Sequence, residues 1–173
     1  MSDFESAIPE VQALIRAYGL APHPEGGFYK ETYRSDALIP VEGLPQRFSA
    51  ARPFSTAIYF LLDRGNFSAF HKIKSDECWH FYAGSTLLIY VIHADGQLEV
   101  VRLGNNIGAG ECFQYVVPAN CWFASEPAPG SLFSFTGCTV APGFHFDDFE
   151  MAEAGILTSL YPQHEALIGR LCR

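Results

Sequence analysis

The 173-residue sequence predicts an all-β sandwich or barrel with a short helix near each end, and three observations carry that expectation. From Phe54 onward, short runs of β-branched and aromatic residues recur between turn residues, the pattern of a sandwich or barrel. Apolar residues make up 49% of the chain and aromatics 14%, alongside 15 glycines and 11 prolines, which suits a β-rich globule with many turns and excludes a disordered chain. The length fits one domain over residues 1–173, large enough to bury a core without disulfide or metal staples.

The elements follow in order. Residues 6–18 read as a helix, because Pro9 suits a first turn, Val11, Leu14, Ile15 and Tyr18 recur at helical spacing, and Gly19 can take the left-handed closing conformation. The tight turn His23-Pro24-Glu25-Gly26-Gly27 comes next, then a strand from Phe28 to Tyr33. Proline, glycine and polar residues mark 35–53 as a surface loop, long enough for a lid or a dimer arm. Strands are expected at 55–62, 67–73, 78–82, 86–93, 97–103, 112–117, 121–125 and 131–140, with Asp95-Gly96 as a hairpin turn. After Gly143 the chain becomes acidic, and Tyr161-Pro162 leads into a final helical pattern through Leu167, Ile168 and Leu171. No internal repeat or low-complexity tract is present.

Charge and cysteine usage narrow the function classes. Against 19 Asp and Glu stand only 11 Lys and Arg, a net charge of −8 with no basic run, so nucleic acid is not expected as a partner. A phosphorylated small molecule stays open, since local cations can bind one. The five cysteines form no CxxC pair and no secretory signal precedes the polar start Met1-Ser2-Asp3, which points to reduced thiols and a cytoplasmic location. No apolar stretch approaches the roughly 20 residues of a membrane helix, so no membrane partner is expected.

One segment carries chemistry. In Gly65-Asn66-Phe67-Ser68-Ala69-Phe70-His71, followed by Glu77 and Gly84, a histidine stands six residues after a turn glycine and a carboxylate six further on. With a side-chain period of two, Ala69, His71 and Ile73 share a face, as do Glu77, Trp79 and Phe81, so that His71 and Glu77 should converge in one cavity. An imidazole there can move a proton or hold a metal, with a carboxylate fixing its tautomer. A buried glutamate needs a partner or a ligand. An isolated histidine in an apolar strand is more often a hydrogen-bonded core residue, but the motif spacing favours a functional role for both. Cys78 and Cys121 read as small hydrophobes rather than nucleophiles, for lack of an activating motif.

Gly65, His71, Glu77 and Gly84 resemble the first cupin motif, with Ile73 where its second metal-binding histidine normally stands. Further segments resemble the cupin branch known as domain of unknown function 985, which is similar to nucleotide-sugar epimerases: His23 to Gly27, Thr56 to Leu62, Ser75 to Glu77 with Trp79-His80, Val117-Pro118 with Trp122-Phe123, and Ala141 to Phe144 leading to Asp148-Phe149. Together they span about residues 20–150. The resemblance implies a cupin double-stranded β-helix, or jelly-roll barrel, that pairs as a homodimer. It also implies a metal-free pocket with no cofactor, where His71 serves as base and Glu77 as orienter or second acid/base in isomerase or epimerase-type proton transfer on a sugar or nucleotide-sugar-like small molecule. If a metal binds, His71 and Glu77 are its expected ligands. Trp79, Tyr90, Trp122 and Phe123 would be apolar walls, with Trp122 inward in place of a ligand histidine. His23, Glu25, Lys30 and Arg34 would meet the ligand at the mouth, although each charge could instead stabilise the fold. A metal-dependent oxygenase or lyase and a non-catalytic metabolite binder are the alternatives.

Overall fold

In the computed structural model, which describes residues 7–173, Pro9 opens helix α1 (Pro9–Tyr18) and Gly19 closes it with φ of 62°, the left-handed conformation that an L side chain resists. Ser6, the first residue of the expected helix, lies outside the described residues. The apolar stripe of α1 buries Val11 against Leu61 and Phe135 on adjacent strands.

The strands follow as β1 (Ala21–Pro22), β2 (Phe28–Arg34), β3 (Leu38–Ile39), β4 (Arg52–Pro53), β5 (Thr56–Asp63), β6 (Ser68–Ile73) and β7 (Asp76–Gly84). Then come β8 (Leu87–Ile92), β9 (Leu98–Leu103), β10 (Gln114–Val117), β11 (Trp122–Pro127), β12 (Phe133–Ala141) and β13 (Phe149–Met151), and the chain closes with helices α2 (Ala154–Leu160) and α3 (Glu165–Leu171). The eight strands read from 55 onward are all present, each end within about two residues of its expected place. The Asp95-Gly96 hairpin forms as expected, Gly96 having φ of 82°.

Two antiparallel sheets pack face to face as a jelly-roll-like sandwich. One runs β1-β2-β5-β12-β7-β10 and the other β13-β6-β11-β8-β9. Phe60, Leu62, Trp79, Ile89, Val91 and Phe123 fill the space between them. The second sheet is apolar on its outer face too, because α2 and α3 cover it: Phe70, Tyr90 and Trp122 pack there with Leu157, Ile168 and Leu171.

The acidic C-terminal stretch holds β13 and α2, neither expected from the sequence. Residues 35–53 are not simply a surface loop. They pair β3 with β4 and bury Phe48 and Arg52, whose guanidinium meets Asp148 at 2.5 and 2.7 Å. All five cysteines are free, Cys121 buried and Cys78 half-buried, and no helix among the described residues is long and apolar enough to cross a membrane.

Candidate functional site

Strand alternation brings His71 and Glu77 together. His71 on β6 faces Phe123 of β11, while Glu77 on β7 pairs with Val140 of β12, and these positions point into the space between the sheets. There they line one cavity of about 250 Å³.

A second carboxylate enters from the turn before β2. Gly26 and Gly27 hold φ of 114° and 75°, and a Cβ on Gly26 would collide with the Phe67 carbonyl, so the turn presses against the sheet and inserts Glu25. Glu25 Oε2 lies 3.0 Å from His71 Nε2, and both side chains are buried. His71 Nδ1 lies 2.7 Å from the Ala69 carbonyl, which only accepts, so Nδ1 carries a proton. On His23, Nδ1 accepts the Glu25 backbone N–H at 3.3 Å, leaving the proton of the neutral ring on its other nitrogen.

The electrostatics separate the two buried glutamates. Burial alone pushes the His71 pKa down, but the charge and hydrogen bond of Glu25, with the Glu77 charge, outweigh it and leave it raised. Burial pushes Glu25 up, yet His71 beside it holds it below its ordinary value. Glu77 makes no ion pair that close: burial lifts it, the His71 charge and a hydrogen bond with Cys138 offset only part, and Glu25 adds like-charge repulsion, so its pKa rises to about 7. Burial keeps His23 low and so neutral. The result is an imidazolium–carboxylate pair beside a carboxyl poised at neutrality, faced by the Cys138 thiol, which burial keeps protonated.

Toward the mouth the walls become aromatic and then charged. Phe144, Phe146 and Phe149 form a cluster with ring centroids 5.0 to 6.3 Å apart. Their segment is tied down by Arg52 on Asp148, by Lys74 on the same carboxylate at 3.3 Å, and by Phe144 N–H on Thr56 Oγ1 at 2.9 Å. A β-bulge between Glu31 and Tyr33 turns Arg34 onto the face of Glu31, where it pairs with Thr56 and lines the cavity.

Of the residues expected at the site, His23, Glu25, Arg34, His71 and Glu77 line the cavity. Lys30 does not: between Tyr29 and Glu31 on β2, it points out to solvent. Trp79 shares the Glu77 face but fills the core against Phe60 and Phe123. Trp122 and Tyr90 correct the expectation of an inward wall. Phe123 takes the inward position opposite His71, so Trp122 falls on the outer face under α2, with the Lys72 ammonium 4.4 Å from its ring, and Tyr90 lies on that face with its hydroxyl on Glu126 at 2.8 Å. Sequence reasoning missed Glu31 and the three mouth phenylalanines; only the Ala141 to Phe149 segment signalled any of them.

For a divalent metal the residues do not fit. Ile73 offers no donor, Phe123 sets a ring 4.1 Å from His71, and both His71 nitrogens are already engaged. Among the described residues no group of three or more His, Cys, Asp or Glu is arranged to hold an ion.

Comparison with known proteins agrees with this architecture. The family model of the cupin superfamily (DUF985) matches residues 12–152. An uncharacterized protein of Saccharomyces cerevisiae, YML079W, is 32% identical over 147 residues, covering 80% of this chain and 73% of its own. Among solved structures, protein SO0799 of Shewanella oneidensis superposes with a TM-score of 0.83 at 41% identity over 93% of this chain and 96% of that one. A hypothetical protein from Leishmania major gives 0.84 at 35% identity over 93% and 97%.

Proposed function

The chain belongs to the DUF985 branch of the cupin superfamily, and from that premise we propose that it is a metal-free isomerase or epimerase-type enzyme that moves a proton on a small carbonyl compound of the sugar class. The observation that carries this reading is the set of proton affinities in the cavity, where Glu77 is poised at about 7 beside an imidazolium held by Glu25. A general acid/base works best when its pKa lies near the working pH.

The roles differ from those expected of the family motif. His71 has no free lone pair, since Nδ1 faces a carbonyl and Nε2 faces Glu25, so it does not take the substrate proton in this arrangement. Glu77 does. Its carboxylate removes the proton from the hydroxyl-bearing carbon next to the substrate carbonyl, and the electron pair moves onto the carbonyl oxygen as an enolate. The same carboxyl delivers the proton to the former carbonyl carbon while the neighbouring hydroxyl passes its proton to the enolate oxygen and becomes the new carbonyl, an aldose–ketose isomerisation. The His71 charge stabilises the enolate at the buried end of the cavity, where Glu25, His71 and Glu77 lie. Glu25 holds that charge in place. A second copy of the chain is the proposed partner, supported by the exposed Tyr82 and Val116 on the outer face of the first sheet.

Deuterium exchange tests the reaction whatever its product. Incubated in D2O with a panel of ketoses and keto-sugar nucleotides, the protein should wash deuterium into the carbon beside the carbonyl of its substrate, read by proton NMR. Glu77→Gln should slow this by roughly 10²–10⁴-fold, the usual worth of a general acid/base. Compounds that bind the cavity without any exchange would assign the protein to non-catalytic binding instead.

A further inference from the structure

The mouth of the cavity selects against phosphorylated molecules. Among the described residues two cations line it, Arg34 and His71, and each already has a carboxylate. His71 Nε2 is 3.0 Å from Glu25. Arg34 grips Glu31 with both faces of its fork, Nη2 at 2.7 Å and Nε at 3.1 Å, and its third nitrogen donates to the Phe144 carbonyl at 3.1 Å. Arginine recognises phosphate through that same bidentate edge, so Glu31 occupies the one group at the mouth suited to the task. None of the lining residues belongs to an α-helix, so no helix N-terminus offers a replacement. Lys30, one residue from Glu31, points to the other face of β2. The net charge of −8 also disfavours the approach of an anion.

Size and wall chemistry agree. A volume of about 250 Å³ lies just below the ~300–1,000 Å³ of ordinary small-molecule pockets, room for one ring but not for a sugar with a nucleoside diphosphate. Tyr29, Ile58, Val140, Phe144 and Phe149 give that ring apolar contacts beside Glu25, His71 and Glu77.

We infer that the cavity takes a neutral, single-ring carbonyl compound such as an unphosphorylated sugar, and that Glu31 sets this specificity by occupying Arg34. The inference rests on the proposed proton transfer for its carbonyl requirement, but the charge selection stands on the mouth alone.

The test follows the His71 ring signals by NMR while wild type and Glu31→Gln are titrated with neutral ketohexoses and ketopentoses, their phosphate esters, UDP-glucose and inorganic phosphate. Glu31 is substantially exposed, so the variant should fold. Wild type should respond to a neutral sugar and at least roughly tenfold more weakly to its phosphate ester, while Glu31→Gln should gain roughly tenfold or more for the ester and for inorganic phosphate, shifting the ratio of ester to neutral-sugar affinity toward the ester. Three results overturn the inference: wild type binding the esters or UDP-glucose as well as the neutral sugars, no response to any neutral sugar, or no gain in the variant. The two readings fail separately. Deuterium exchange on a phosphorylated ligand would remove the charge selection and leave the proton transfer, whereas tight neutral binding without exchange would do the reverse.

Discussion

Replacing Glu77 by Gln should make the protein more stable above neutral pH and leave it nearly unchanged in mild acid. The folded-state pKa of Glu77 is about 7 against an ordinary 4.5, so the folded protein holds this proton more tightly than the unfolded chain does. The contribution to stability is therefore fully present below about 4.5, falls as pH rises, and is lost once pH passes through about 7. At 1.36 kcal/mol per pKa unit the loss amounts to about 3 kcal/mol. Glutamine is neutral at every pH and close in shape, so Glu77→Gln escapes the loss; titrations away from the cavity are shared with wild type and cancel in the difference, while His71 loses the raising effect of the Glu77 charge. Urea unfolding of both proteins between pH 5 and 8 measures that difference directly, and for a domain of this size ~3 kcal/mol corresponds to roughly 6–12 °C in Tm. A stability difference that stays constant from pH 5 to 8 would refute the claim that burial and Glu25 hold Glu77 protonated.

Other expectations concern the scaffold. Trp122→Ala should destabilise the fold by about 3–5 kcal/mol, measured by denaturant unfolding, and leave the His71 signals in place, because the ring is buried under α2 rather than in the cavity. Asp148→Asn should cost about 3–5 kcal/mol, since it leaves the buried Arg52 without its counter-charge, and hydrogen exchange should quicken in the Phe144 to Phe149 segment that the pair anchors. Added Mn²⁺ or Zn²⁺ should leave Tm unchanged, as the cavity has no converging donor set; a rise that grows with metal concentration would contradict the reading of Ile73 and Phe123.

Local signals carried far in the sequence wherever one face of an element differs from the other. Gly19 after an apolar stripe, the Asp95-Gly96 turn and the alternation around His71 and Glu77 depend only on neighbours, and each places its element where the structure has it. Trp122 defeats the same logic because β11 is buried on both faces, between the sandwich core and the C-terminal helices, so no polar alternation marks which ring turns inward. The Glu25–His71 and Arg52–Asp148 pairs join residues far apart in the chain. Their partners are fixed by topology, which composition and spacing do not encode. Arg34 reaches the cavity only through the bulge in β2, a one-residue shift that strict alternation puts on the wrong side.

Direct observation of protonation in the cavity tests the central claim. Histidine ¹⁵N and carboxyl ¹³C NMR from pH 5 to 9 should show both His71 nitrogens still protonated at pH values where an ordinary imidazole has become neutral, and a Glu77 carboxyl that titrates with a midpoint of about 7. A neutral His71 at pH 7, with one bare nitrogen beside an already ionised Glu77, would contradict the account and return the role of base to His71.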